Sequence, residues 1–166
     1  MSDLPHDDLA PDAPLDARSL ARRIALQILY EIDTTTHKPG NVIAIHLQVQ
    51  QPGEKAAKFV RELVVGVMEN RAAVDAAITR YASEYPLEQL AVVDRNILRM
   101  AIYEFAVSGR APVGVAIDEA VELGKVFGAD GTPSFVNGVL GSLADDEDYL
   151  KQLKQKEEDD DLADQA

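Results

Sequence analysis

The stretch from residue 112 to residue 140 constrains the fold of this chain more than any other, because helix starts and stops are signalled there at short spacing. Small and apolar residues recur at intervals of three and four, namely Ile117, Ala120, Val121 and Gly124. This spacing predicts one amphipathic helix that begins after Pro112 and ends near Phe127. Gly128 follows directly and is typical of a left-handed C-terminal cap.

A second helix is signalled just beyond this glycine. Thr132 offers a side-chain oxygen for an N-cap, and Pro133 fits a first helical turn because no N–H is needed there. Gly138 and Gly141 inside this helix each cost about 1 kcal/mol relative to alanine. We therefore expect another backbone to cross closely at this point, with Gly138 buried in the contact.

The rest of the chain between the acidic ends is also helical in its periodicity, and no segment alternates convincingly between apolar and polar residues. We predict an all-α fold of about seven helices in two packed sub-bundles that meet near Tyr85 and Pro86. Asp16 is the expected N-cap of the first helix and Asp94 that of the fifth. The predicted helices cover residues 17–33, 41–50, 54–83, 87–90, 94 to before 109, 113–127, and 133 onward.

The formal net charge of −13 is concentrated at the two ends of the chain. Residues 1–16 hold five aspartates and no basic residue, and residues 144–166 hold ten acids and three lysines. Of the 29 acids and 16 bases in the whole chain, 14 acids and 13 bases remain in residues 17–143. Dense like charge with few large apolar residues predicts two disordered acidic tails, 1–16 and 144–166, around one nearly neutral domain.

Length and composition indicate the size of the core and the cellular compartment of the chain. A length of 166 residues suits one core of moderate size, and zero cysteines exclude a disulfide framework and thiolate catalysis. No apolar run approaches the roughly 20 residues of a membrane helix, and the N-terminus lacks a basic-then-apolar leader. We expect a cytoplasmic chain without a membrane partner.

Nothing in the sequence matches a catalytic or metal-binding pattern. His6, His37 and His46 lack the i, i+4 pairing of a zinc site, and Asp130-Gly131 lacks the other acidic ligands of a calcium loop. There is no phosphate-binding glycine loop, no nucleophile elbow and no serine beside a partnered histidine. We expect no cofactor, no metal ion and no enzymatic activity.

Cationic, amide and aromatic side chains share one face of the first predicted helix. Arg23, Gln27 and Tyr30 are spaced by four and three, and Arg18 and Arg22 lie on the adjacent turn. Arginine can hold phosphate bidentately, and tyrosine offers a flat platform for an unpaired base. From spacing alone, an ordinary solvated helix face explains the stripe better than RNA binding does.

A second set of such residues recurs every four positions in the fifth predicted helix. Arg95, Arg99 and Tyr103 form this set. Arg99 can equally pair with Glu104 or Glu122 inside the fold, so spacing leaves its role open.

Three ordered segments resemble the NusB family of transcription antitermination factors. The first two are ARRIALQILYEID at residues 21–33 and VDRNILRMAIYEF at residues 93–105. The third is VAIDEAVELGKVFG at residues 115–128, followed by FVNGVL at residues 135–140. Together they cover most of residues 17–143, which is far more specific than any single motif.

The resemblance implies an RNA-binding antitermination factor that pairs with ribosomal protein NusE. The pair would bind a single-stranded boxA-like element in nascent ribosomal RNA transcripts and join other Nus factors and RNA polymerase. The implied RNA-binding residues are Arg18, Arg22, Arg23, Gln27, Tyr30, Arg99, Phe135 and Asn137. The implied NusE-binding residues are Asp94, Arg99, Tyr103 and Phe135.

Several alternatives stay open at this level. Phe135 is also compatible with the core, and Asn137 with a buried amide that bonds to loop backbone. A protein-binding helical scaffold without RNA affinity would explain the acidity more simply. NusB-like domains also guide RNA in a family of RNA cytosine methyltransferases, so the chain could be a stand-alone relative, although it contains no glycine-rich turn after a strand.

Overall fold

The computed structural model describes the backbone of residues 16–165 and the side chains of residues 16–154 and 162–164. This part of the chain is all α and contains no strand, which confirms the predicted fold class. The helices are α1 (Ala17–Thr34), α2 (Pro39–Gln50), α3 (Glu54–Glu69), α4 (Arg71–Tyr81), α5 (Val92–Ile102), α6 (Val113–Phe127), α7 (Thr132–Ala144) and α8 (Glu147–Gln165). A 3₁₀ turn, Leu87–Gln89, precedes α5, and a π-helical segment, Tyr103–Val107, continues it.

Helix α1 begins as the sequence predicts. The Asp16 carboxylate accepts hydrogen bonds from the backbone N–H groups of Arg18 and Ser19, both at 2.9 Å. These bonds satisfy two of the donors that every helix start leaves free, so Asp16 is the N-cap. Apolar residues of α1 at helical spacing, among them Ile24 and Ile28, are buried in the core.

Helix α5 is the centre of the molecule. It packs against α1, α3, α4, α6 and α7. Every residue from Asn96 to Ile102 is buried, and the π-helical segment adds five more buried residues. The two predicted groups of helices therefore meet on one shared helix and enclose a single core.

The predicted helix over residues 54–83 is interrupted at Asn70. The Asn70 side-chain amide donates to the carbonyl oxygen of Gly66 at 2.8 Å, and the residue leaves helical geometry with φ −109° and ψ 20°. Side chains that bond to nearby backbone compete with the helix in this way. Apolar spacing continues through the break, so periodicity alone could not reveal it.

Two other predicted helix starts are wrong in detail. Residues 87–90 contain only the 3₁₀ turn, and α5 begins at Val92 with Ala91 as its N-cap. Asp94 therefore lies in the first turn of α5 and does not cap it. Helix α7 begins at Thr132 with Gly131 as its N-cap, so Thr132 is free to bond elsewhere.

The end of α6 is predicted correctly, but the conformation of its terminal glycine is not. Gly128 has φ −92° and ψ −178°, which is extended and not left-handed. The absence of a side chain avoids a steric clash, because a Cβ atom at this position would lie 2.5 Å from Cβ of Thr132.

Gly138 is exposed, and no atom lies within 4 Å of a Cβ built on it, so the predicted close crossing is wrong. The close approach is instead at Gly66 on α3. A Cβ atom there would lie 2.1 Å from Cζ of the Tyr103 ring, which is buried. Glycine is needed at Gly66 because the ring occupies the place of a side chain.

The expected C-terminal tail is helical over most of its length. The Asp146 carboxylate accepts the backbone N–H of Tyr149 at 3.1 Å, and Leu153 is buried in the core with Tyr149 and Leu150 packed beside it. The prediction of disorder from residue 144 is therefore wrong, because three apolar side chains at helical spacing attach α8. The predicted disorder of residues 1–15 lies outside the described residues.

Gly66→Ala and Gly138→Ala form a matched pair that tests these contacts. We expect Gly66→Ala to lower the free energy of unfolding by about 1–3 kcal/mol, because the methyl group would overpack against Tyr103. Gly138→Ala should raise it by up to about 1 kcal/mol through helix propensity. Urea unfolding measures both, and equal or greater stability of Gly66→Ala would contradict the close approach.

Candidate functional site

Arg99 lies in the interior of the fold, with only 2% of its surface exposed. Its guanidinium donates to the carboxylate of Asp75 on α4 at 2.7 Å and to that of Asp33 on α1 at 3.0 Å. It also donates to the side-chain oxygen of Asn96 at 3.2 Å. Arg99 thus joins three helices, and its expected place on an RNA and NusE surface is wrong.

Asp33 receives more donors than Arg99 alone. Arg95 forms two hydrogen bonds with it, at 2.7 and 2.9 Å, and the Asn96 amide adds one at 2.9 Å. Burial by itself would raise the pKa of Asp33, but these hydrogen bonds and the charges of Arg99 and Arg95 lower it to about 2. We call Asp33, Asp75, Arg95, Asn96 and Arg99 the Asp33 cluster.

Arg22 is a second buried arginine, near the other end of α1. It forms a bidentate pair with Glu104 of the π-helical segment, with both hydrogen bonds at 2.8 Å, and lies 3.7 Å from Glu119 on α6. Its guanidinium also lies 5.4 Å from the centre of the Phe59 ring on α3. Only 3% of Arg22 is exposed, so it lies inside the fold and not on the surface where contact with RNA was expected.

Other polar residues of α1 do face outward. Arg23 is half-buried in a cleft of about 120 Å³ lined by Ser19, Glu119 and Glu122. Tyr30 is 45% exposed. Gln27 is half-buried between them along the helix, so the structure retains the predicted stripe of Arg23, Gln27 and Tyr30, the outer stripe.

Helix α2 supports this outer stripe from one side. The Gln50 amide donates to the side-chain oxygen of Gln27 at 3.3 Å. His46 and His37 lie 3.0 and 2.8 Å from the carboxylate of Glu31, and the hydrogen bond to His46 is the main cause of a lowered Glu31 pKa. In the described residues no group of three or more histidine or acidic side chains could hold a metal ion.

The expected partner residues divide between surface and interior. Asp94 is half-buried and accepts a hydrogen bond from the Thr132 hydroxyl at 2.7 Å, which fixes the start of α7 against α5. Phe135 is half-buried against the core, one turn into α7. Tyr103 is only 8% exposed, below the Gly66 backbone, so its expected place on the partner surface is wrong.

Asn137 is exposed, which excludes the buried-amide alternative. It lines an open groove of about 540 Å³ between α6 and α7, together with Asp118, Lys125 and Ser134. The structure therefore places Asp94 and Phe135 near the start of α7, whereas Asn137 lies on a different face of α7, toward α6. The outer stripe of α1 is a separate group.

The NusB family profile matches residues 19–145. This chain belongs to the NusB family. The transcription antitermination protein NusB of Roseiflexus castenholzii is 41% identical over 128 residues, which cover 76% of this chain and 90% of that protein. The NusB protein of Pelotomaculum thermopropionicum is 40% identical over 141 residues, or 83% of this chain and 96% of that protein.

Solved structures agree with this assignment. NusB from T. maritima matches with a TM-score of 0.72 and 32% identity, covering 78% of this chain and 91% of that chain. A NusB chain from a crystal structure of antitermination factors NusB and NusE in complex with dsRNA shares the fold, with a TM-score of 0.70, 23% identity, and coverage of 78% and 97%. The chain is thus an all-helical NusB antitermination factor, and α8 lies beyond the family match.

None of the helices in the described residues has the length and apolarity that crossing a membrane requires.

Glu104 and Glu122 were the expected alternatives as interior partners of Arg99, but Glu104 pairs with Arg22, and the actual partners of Arg99 were not predicted. Asp33, Asp75 and Glu104 provide the carboxylates, and Phe59 provides the ring that contacts Arg22. One signal was available: Glu104 lies between apolar residues of a motif that is otherwise buried. An acid in such a position needs a buried cation as its partner. This requirement indicates that one arginine lies in the interior and not on the surface.

Arg99→Ala should lower the free energy of unfolding by about 3–5 kcal/mol, because it leaves Asp33 and Asp75 without their buried partner. Arg61→Ala, at an exposed position on α3, is the control and should change stability by less than about 0.5 kcal/mol. Denaturant titration of both variants is the measurement. Similar stability of the two variants would contradict a stabilising role for Arg99 in the Asp33 cluster.

The lowered pKa of Asp33 predicts a pH dependence of stability. Its unperturbed pKa of 3.8 falls to about 2 in the folded chain, so its contribution is present above about pH 4 and is lost as pH falls toward 2. The loss should be about 2 kcal/mol. In Asp33→Asn this part of the acid dependence should vanish, and identical slopes for wild type and variant between pH 4 and 2 would contradict it.

Proposed function

We propose that this chain binds single-stranded, boxA-like RNA in nascent ribosomal RNA transcripts, together with ribosomal protein NusE. Family membership supports a role in antitermination, and the solved NusB–NusE–dsRNA complex supports the partner classes. The observation that carries the proposal is the outer stripe, where Tyr30 is exposed on the same helix face as Arg23 and Gln27.

The side chains of the outer stripe have complementary chemistry for an unpaired RNA strand. The Tyr30 ring can stack on a base, the Gln27 amide can bond to a base edge, and Arg23 can hold a phosphate. Arg18, exposed at the start of α1, adds a second cation. Arg22 and Arg99 contribute from inside by holding α1 in place.

We place the NusE-binding surface at the start of α7. The hydrogen bond between Thr132 and Asp94 fixes the relative position of α5 and α7, and Phe135 and Asn137 lie on the next turn. A half-buried aromatic ring beside polar groups is suited to anchor a protein partner. Phe135 and Asn137 would also contact RNA that passes between the two proteins.

The proposed mechanism is recruitment and involves no catalytic step. Each protein supplies part of one RNA surface, so the affinity of the pair for RNA exceeds that of either protein alone. The RNA-bound pair would then join other Nus factors and RNA polymerase during elongation. A protein that acts on nascent transcripts in this way would be located in the cytoplasm.

Titration of a boxA-like oligomer into the chain, with and without NusE, tests this function. We expect NusE to tighten RNA binding, and Tyr30→Ala to weaken it by about 1–3 kcal/mol through loss of stacking. Tyr85→Ala is the matched control, because Tyr85 is a tyrosine with 60% exposure outside the outer stripe. Both variants should keep the wild-type melting temperature.

The outcomes separate the alternatives. NusE binding without measurable RNA affinity would favour a protein-binding scaffold. RNA binding that NusE does not change would favour a relative of the RNA-guiding methyltransferase domain. Equal RNA affinities of Tyr30→Ala and Tyr85→Ala would exclude the outer stripe as the RNA-binding surface.

A further inference from the structure

A second group of cations lies where the start of α1 meets α3, on residues that the outer stripe does not include. We call Arg18, Lys55, Lys58, Phe59 and Arg110 the α3 patch. The Arg18 guanidinium lies 5.6 Å from the centre of the Phe59 ring. Phe59 and Arg110 line the same small cleft. Lys55 is one helical turn before Phe59, so these side chains are neighbours.

The α3 patch is accessible and positive. The side chains of Lys58 and Arg110 are 78% and 51% exposed, and Lys55 and Arg18 are also exposed. Both Lys58 and Arg110 pair with Glu62. Asp16 and Glu54 are the other exposed acids beside these four cations along α1 and α3, so with Glu62 the patch keeps a small positive excess in a folded region that is nearly neutral.

The geometry also fixes one of these cations in place. Arg18 and the buried Arg22 both contact the Phe59 ring, which orders the Arg18 side chain on the surface of α3. An ordered guanidinium loses less conformational freedom on binding phosphate than a mobile one does. The lysines offer point charges that tolerate any phosphate geometry.

We propose that the α3 patch binds the sugar–phosphate backbone of RNA that flanks the segment held by the outer stripe. This inference rests on the proposed function and extends it to the length of RNA bound. Helix α1 connects the two surfaces, because Arg18 and Tyr30 are twelve residues apart, about 18 Å along the helix and about 120° around it. The flanking RNA would therefore pass partly around the start of α1. The patch would add affinity without sequence preference, since phosphate contacts carry no base information.

The test compares a short boxA-like oligomer with the same oligomer extended by uridines at both ends. Fluorescence anisotropy gives the affinity of full-length chain for each RNA at several salt concentrations. We expect Lys55→Glu/Lys58→Glu to lose about tenfold in affinity for the extended RNA and to keep its affinity for the short one. The slope of log affinity against log salt should become shallower by about 1–2, since two phosphate contacts are lost.

Lys151→Glu/Lys154→Glu is the matched control. These lysines are exposed on α8, have the same spacing of three residues, and give the same change in net charge. The control should bind both RNAs as the wild type does, apart from a small common effect of net charge. Both double variants should unfold at the wild-type temperature.

Each result decides between named possibilities. Equal losses in the two double variants would overturn the α3 patch as an RNA site and leave only a net-charge effect. Binding of a polyglutamate peptide that depends on Lys55 and Lys58, with extended RNA unaffected, would overturn it in favour of an acidic protein partner. Failure of the wild type to bind the short oligomer would instead contradict the proposed function.

Discussion

The charge of Arg99 is buried at the centre of the molecule, and the arrangement of the helices depends on how that charge is compensated. A buried guanidinium is tolerated only with carboxylates in good geometry. Asp33 and Asp75 meet this need from two other helices, so α1 and α4 are fixed relative to α5. Arg22 makes the corresponding link near the start of α1, through Glu104. Ion pairs near each of its two ends therefore fix helix α1 in place.

Fixing α1 at both ends determines what it presents to solvent. Arg22 and Asp33 are directed inward, and Arg23, Gln27 and Tyr30 follow the outer side of the helix, roughly a quarter of a turn around from them. Gln50 of α2 supports Gln27. A surface held on a rigid helix binds with less loss of conformational freedom than one on a loop. In the proposed function the buried arginines act as positioning residues for the outer stripe.

The sequence predicts this fold well where local signals and packing agree. Helix α6 is an example, since a proline before it, helical spacing within it and Gly128 after it mark both ends. Periodicity could not reveal the break at Asn70, because the apolar stripe continues across it. The outer stripe was predictable from spacing, but the burial of Arg22 and Arg99 was not. Arg22 pairs with Glu104, 82 positions away, and Arg99 pairs with Asp33, 66 positions away, so only the tertiary fold creates these contacts.

The division between buried and RNA-facing arginines is the central claim, and NMR of the arginine side-chain Nε–H groups tests it most directly. The Nε–H groups of Arg22, Arg95 and Arg99 donate to carboxylates at 2.7 to 2.8 Å inside the fold. Adding boxA-like RNA and NusE should leave these three signals unchanged and should shift those of Arg18 and Arg23. Large RNA-induced shifts of Arg22 or Arg99, with Arg18 and Arg23 unchanged, would contradict the account.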